Sequence, residues 1–456
     1  MYSPRQKILW FAFSSRVTIL VLQFVSNLLI PDHNADGFVS PEDPSLRKTR
    51  LDVAVGKILG GLKRWDAQYF IHIAQYGYTY ENCLAFFPAF PFVVRYAGYG
   101  LNSIFGSVLN FHSLLLIAAV LLNFIMFLKS ADILHRLSLR VLKSESRAYK
   151  ATILYCINPA SIFFTAPYSE TLFSWMSFYT MLKCTESETL RFANIDILSG
   201  LPAAFSMVAR SNGITNLGFI LLILPFLLLP LFTSAIALIM TVIIAVLPFG
   251  LVQLYNYFKY CVPHDHNLPE FLSNTDYTIP GSGVSPWCNT TLPLSYNYIQ
   301  AHYWDVGLFK YYKLKQIPNF ILASPILFVI LSHCFSYVRN NFRLCCKLGI
   351  KMNVDNKMQY RRPYSKGFGA NDAAMFVYIV HVIVLCVCCL MFVHIQVSTR
   401  LLASASPVLY WICSYRMNTF IISRRMPDLQ SRLLQYYFLG YFVIGTILFS
   451  NNLPWT

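Results

Sequence analysis

Residues 8–30 read ILWFAFSSRVTILVLQFVSNLLI, an apolar run with Arg16 as its one charge, closed by Pro31-Asp32-His33. A run of this length crosses the bilayer's hydrocarbon core as a helix, and it ends without a small-residue cleavage pattern, so it is expected to stay in place as a signal anchor. Similar runs recur at 113–134, 151–165, 168–184, 194–210, 214–232, 234–258, 318–338, 371–393, 401–415 and 433–450, which gives about eleven spans. Of 456 residues, 56% are hydrophobic and 12% charged. The expected fold class is therefore an all-α polytopic membrane protein in one domain, with no separate soluble unit and no internal repeat.

The formal charge of +16 is distributed as the positive-inside rule distributes it, and nucleic acid is not needed to explain it. Arg136, Arg140, Lys143, Arg147 and Lys150 face only Glu145 in 135–150, and the 339–370 loop and the 416–432 segment are similarly basic. All three are expected on the cytoplasmic side. The loops 31–112 and 259–317 are expected on the lumenal side; charges balance over 31–85 and through the second loop, which also carries the glycosylation acceptor pattern Asn289-Thr290-Thr291. Residues 88–106 are apolar but open on two prolines and contain Arg95 and three glycines, so they read as a re-entrant or interfacial element. Most cysteines lie inside apolar runs. Cys83, Cys261 and Cys288 fall in the lumenal loops, where a disulfide among them is left open because spacing does not fix connectivity.

Three groups of residues carry candidate chemistry. The first is Arg64-Trp65-Asp66-Ala67 followed by Glu81 and Phe86-Phe87-Pro88, which puts two acids among aromatics in the first loop. Glycosyl transfer with inversion needs one base on the acceptor side, and Asp66 fits that role; the competing structural reading makes it a helix cap. For Glu81 the plainer alternative is a solvated loop acid. The second group is the ionisable residues within or at the ends of spans: Arg16, Glu170, Arg210, His381, His394 and Arg400. Guanidinium stays protonated and binds phosphate through two donors, so Arg210 and Arg400 suit a lipid phosphate, with snorkelling to the headgroups as the alternative. The third is the segment Tyr303, Trp304, Tyr311, Lys315 and Gln316, which can stack on sugars and neutralise phosphate, or simply form an aromatic belt.

The strings Trp65-Asp66-Ala67, Phe86 to Pro91, Asn158-Pro159-Ala160, Tyr168-Ser169-Glu170, Arg210-Ser211-Asn212-Gly213, Pro286-Trp287-Cys288, Tyr303 to Phe320, Gln396 to Arg400 and Leu453-Pro454-Trp455-Thr456 occur in one order. Together they resemble the PIG-V family of GPI mannosyltransferases from the first span to the last residues. The basic segment 416–432 looks shorter than in mammalian relatives. The resemblance implies a GT-C class enzyme of the endoplasmic-reticulum membrane. It would move mannose from dolichyl-phosphate mannose to the mono-mannosylated glucosaminyl-acylphosphatidylinositol precursor, in α-1,6 linkage, on the lumenal face. It also implies Asp66 as the catalytic acid of the first lumenal loop, supported by Glu81 and Glu170. Arg210, Arg400 and Lys315 would hold phosphate; Trp65, Tyr303, Trp304, Tyr311 and Gln316 would line the sugar or acceptor site. No cofactor and no metal are expected, the lipid donor being a substrate, and an accessory subunit is left open. Other readings are a GT-C enzyme with another acceptor, a non-catalytic subunit of a membrane complex, and a lipid transporter or scramblase, which should show inverted repeats.

Overall fold

The computed structural model describes residues 2–189, 200–221, 232–263, 268–273, 275, 277–281, 285–346, 373–417 and 428–455. Regular structure among them is helical throughout, with no strand. The first eight helices are α1 (Pro4–Leu29), α2 (Arg50–Leu59), α3 (Asp66–Tyr76), α4 (Ala89–Phe105), α5 (Phe111–Leu142), α6 (Glu145–Cys156), α7 (Glu170–Thr189) and α8 (Gly200–Ala209). Longer helices follow at Phe232–Cys261, Ile317–Asn340, Phe376–Met391 and Leu429–Ser450. Among the described residues, five helices are long and apolar enough to cross a membrane: Pro4–Leu29, Phe111–Leu142, Leu238–Cys261, Leu314–Asn340 and Leu429–Ser450. The chain is a multi-pass membrane protein. The start of the expected 194–210 span, most of 214–232, and most of the basic 339–370 and 416–432 segments lie outside the described residues.

Two expected spans are broken, each at a proline. The run 151–165 is helical only to Cys156; Asn158 then accepts from Ala160 N–H at 2.9 Å, and a single 3₁₀ turn covers Ser161–Phe164. Pro159 has no N–H to continue the ladder and forces its predecessor out of helical geometry. The run 401–415 divides into Ser398–Ala405 and Val408–Arg416, with Ser406 extended before Pro407. Arg16 explains how the first break survives in an apolar setting. Fully buried in α1, it donates to Cys156 O (2.9 Å), Ser161 O (2.9 Å) and Thr165 Oγ1 (3.0 Å), and its guanidinium lies 3.9 Å over the Phe127 ring. The cation thus satisfies carbonyls that the ended helix leaves open, where the helix dipole favours it.

Helix α5 is the central element and packs along α1, α4, α6 and α7. Lipid gives little hydrophobic drive between helices, so close packing and internal hydrogen bonds have to hold them. Ser130, Tyr155 and Ser174 join α5, α6 and α7 through mutual contacts of 2.7, 3.0 and 2.9 Å, and Trp411 Nε1 donates to Ser138 at 2.7 Å. Residues 88–106, read as re-entrant or interfacial, hold the 17-residue α4, with Phe92, Tyr96, Tyr99, Ile104 and Phe105 exposed. Its Arg95 donates to Ala74 O (2.6 Å) and Ile73 O (3.1 Å), fixing α4 on the end of α3. A disulfide joins Cys261, at the end of a long helix, to Cys288 in the Pro286–Asn289 turn, while Cys83 is free and buried.

Candidate active site

The turn that presents Asp66 is strained and held from both sides. Trp65 has φ of 53°, a backbone setting that costs a large side chain about 1–3 kcal/mol and persists only where the surroundings enforce it. On one side Arg64 Nη2 donates to both oxygens of Asp32 (2.8 and 2.6 Å), and its Nε reaches Ser450 O at 3.3 Å. On the other, the buried Tyr168 hydroxyl accepts from Asp66 N–H at 3.1 Å and donates to Arg64 O at 3.3 Å, bracketing the strained residue. Asp66 is the first residue of α3, and no side-chain capping bond closes that helix.

The Asp66 carboxylate turns instead to Arg400, with Oδ2 2.8 Å from Nη2. Arg400 stands in the first turn of Ser398–Ala405, and its Nη1 lies 3.7 Å from Glu170 Oε1. Glu170 opens α7 and is paired closely with Arg210 Nη1. Four charges from four chain segments therefore form one row, Asp66, Arg400, Glu170 and Arg210, with two of each sign. Side-chain exposure falls along it from 30% at Asp66 to 14% at Arg400 and 0% at Glu170, then returns to 16% at Arg210. The Arg400 guanidinium also sits 5.1 Å from the Phe163 ring centre and 5.5 Å from that of Tyr168. Aromatic faces favour a cation there. Arg210 is placed by Gly213, where an added Cβ would fall 2.3 Å from Ser206 O.

Glu81 belongs to a different cluster. It is 2% exposed, unlike a solvated loop acid, and accepts one bond on each oxygen, from Trp287 Nε1–H at 3.0 Å and from Tyr303 O–H at 2.9 Å. Burial, and to a lesser degree the Glu81 charge, push the Tyr303 phenol above its ordinary range and keep it a donor. Around them, Phe38 and Phe86 stack on the two faces of Tyr69 at 4.1 and 4.3 Å, and Trp304 meets Tyr69 and Phe86 edge-on. His72, bonded to Ser40 and Thr79, is driven by burial down to about 3 and is neutral.

The remaining candidates are dispersed. Tyr311 O–H donates to Gln396 at 3.1 Å and its ring stacks on His394; Gln316 accepts from Asn319 at 2.7 Å. Lys315 is exposed and makes no ion pair among the described residues, whereas Lys310 and Lys313 pair with Asp305. His381 is an interior histidine bonded to Thr215 at 3.0 Å. Asn289 is exposed beside the disulfide. Tyr168 and Phe163 were missed as site residues; Tyr168 was present only as a member of the string Tyr168-Ser169-Glu170 that carries the resemblance.

The family model described as Mannosyltransferase (PIG-V) matches residues 5–456. The chain belongs to the PIG-V mannosyltransferase family. Membership makes it a glycosyltransferase. Among curated relatives of this PIG-V chain, "GPI mannosyltransferase 2" of Drosophila pseudoobscura pseudoobscura is 38% identical, covering 99% of this chain and all of the relative. "GPI alpha-1,6-mannosyltransferase 2" is 35% identical in Cricetulus griseus and 33% in Homo sapiens, with 99% of both chains covered in each case. Among solved structures, an Archaeoglobus fulgidus oligosaccharyltransferase, at 10% identity, aligns with 98% of this chain and 56% of its own at a TM-score of 0.47, a likeness too slight to assign the fold.

Proposed function

We propose that this PIG-V chain transfers the second mannose, in α-1,6 linkage, from dolichyl-phosphate mannose to the mono-mannosylated GPI-anchor precursor on the lumenal face of the endoplasmic reticulum. The fold would be of GT-C type with about eleven spans. The names of its relatives support the acceptor and linkage. The lumenal side is supported by the Cys261–Cys288 disulfide, which needs an oxidising compartment, and by the exposed Asn289 next to it.

The observation that carries the mechanism is the row Asp66, Arg400, Glu170 and Arg210. Asp66 takes the proton of the acceptor hydroxyl while that oxygen bonds to the mannose anomeric carbon. The bond from that carbon to the phosphate oxygen breaks, and its electron pair leaves on dolichyl phosphate, which gains a second negative charge. Arg400 and Arg210 stabilise that charge, and Glu170 holds the two guanidinium groups in place. Configuration at the anomeric carbon inverts. A single phosphate can be balanced by guanidinium alone, so the reaction is proposed to need no metal. Trp65, Tyr303, Trp304, Tyr311 and Gln316 are assigned to the sugar or acceptor site and Lys315 to the phosphate.

The test is mannose transfer from dolichyl-phosphate mannose in membranes of cells lacking their own enzyme, after expression of this chain. Labelled mannose on the dimannosylated GPI precursor is the expected product. Label on protein or dolichol-linked sugar would replace the acceptor, and no label at all would favour a transporter or non-catalytic subunit.

A further inference from the structure

Lys63 lies three residues before Asp66 and is not part of the charged row. Its ammonium is 2.8 Å from His112 Nε2, in the first turn of α5. An ammonium only donates, so Nε2 accepts, and His112 Nδ1–H donates to Gln75 Oε1 at 2.7 Å; Gln75 Nε2–H in turn donates to the Tyr76 hydroxyl at 2.8 Å. Lys63, His112 and Gln75 are all half-buried, within reach of a ligand. No carboxylate lies within ion-pair distance of Lys63 among the described residues. The acids around it are engaged: Glu42 with Lys48 (2.7 Å), Asp32 with Arg64 (2.6 Å), and Asp52 with the N–H groups of Thr49 and Asn110. Burial lowers the Lys63 amine to about 8, and the charge of Glu42, itself paired with Lys48, only partly offsets that loss of water. The N-terminus of the 32-residue α5 adds positive potential at the same point.

We propose that Lys63, held in place by His112, forms the binding site for the phosphodiester of the phosphoinositol glycolipid acceptor. This rests on the acceptor named under the proposed function. The donor's phosphate is bonded directly to the mannose carbon under attack, so it must lie close to Asp66, where Arg400 stands. The acceptor's phosphate is separated from its reacting hydroxyl by inositol, glucosamine and mannose. The chain of bonds from Lys63 through His112 ends on Gln75, which stands at the far end of α3 from Asp66, about 14 Å along its axis, so the pair is drawn from the Asp66 end towards the other. An acceptor lying along α3 would place its hydroxyl at Asp66 and its phosphate at the Lys63–His112 pair, and the two phosphates of the reaction would be sorted between two basic sites.

The test measures KM for acceptor and donor separately, with the full chain in phosphatidylcholine vesicles. K63Q is expected to raise the acceptor KM roughly tenfold or more, leaving donor KM unchanged, and K63R to restore most of the difference. Binding of short-chain phosphatidylinositol to D66N protein gives a readout independent of turnover, and it should be lost in D66N/K63Q. Should K63Q fail to accumulate, H112A, which keeps the lysine and removes its support, should raise the acceptor KM in the same direction. An unchanged acceptor KM with equal phosphatidylinositol binding would overturn the proposal and leave Lys63 to bulk headgroups; a raised donor KM would overturn it by moving Lys63 to the donor side. If the wild type transferred no mannose to the GPI precursor, the proposed function would fall, and the phosphatidylinositol binding would still decide this site.

Discussion

Glu170 and Glu81 are equally buried and differ in what surrounds them. Glu170 meets two guanidinium groups, one of which also holds Asp66. Glu81 meets an indole N–H and a phenol O–H and, among the described residues, no cation. A carboxylate between cations fixes charges that a substrate can use, since one of the arginines it anchors, Arg400, also reaches Asp66. A carboxylate between neutral donors ties segments together: Glu81 joins the first loop to Trp287, next to the disulfide, and to Tyr303 at the end of Ser295–Trp304. Burial alone would have ranked the two acids together; their partners separate them.

The largest break in that contrast is expected from Arg400→Gln, which unpairs Asp66 and removes half of the phosphate-facing charge. Transfer should fall by about 10²–10³-fold, measured at matched expression, in a chain that still folds. Glu170→Ala should cost about 3–5 kcal/mol, because Arg210 loses its carboxylate in a buried setting, and a thermal unfolding assay in detergent reads this as a large drop in midpoint together with lost transfer. Replacing Cys261 and Cys288 by serine should lower stability by about 2–4 kcal/mol while transfer at low temperature persists, which would mark the Glu81 region as a brace. Glu81→Gln keeps the shape and one acceptor, so a loss of about 1–2 kcal/mol in stability and only a few-fold change in rate are expected. Tyr168→Phe should have the smallest effect on stability, about 1 kcal/mol, and show itself mainly as a several-fold lower kcat through a loosened Asp66 turn.

The residues of the charged row were legible one by one, because a charge at the end of an apolar run needs a partner or a use. Their pairing was not. Asp66 and Arg400 are separated by most of the chain, and nothing local to either names the other. Glu81 misled for the same reason, since its two donors lie 206 and 222 residues further on, and within its own segment it resembles any loop acid. The membrane class and five full-length helices followed from the apolar runs. The breaks at Asn158-Pro159 and Ser406-Pro407 were marked by their prolines, yet apolarity on both sides concealed them. Only the buried Arg16, reaching in from α1, shows how the first ended helix is satisfied.

The most direct test of the account compares Asp66→Asn with Glu81→Gln for mannose transfer to the mono-mannosylated GPI precursor, in membranes lacking the endogenous enzyme and at matched expression. The account predicts a fall of at least about 100-fold for Asp66→Asn and a rate within a few-fold of wild type for Glu81→Gln. An undiminished rate for Asp66→Asn, or an equal loss in a well-folded Glu81→Gln chain, would contradict it.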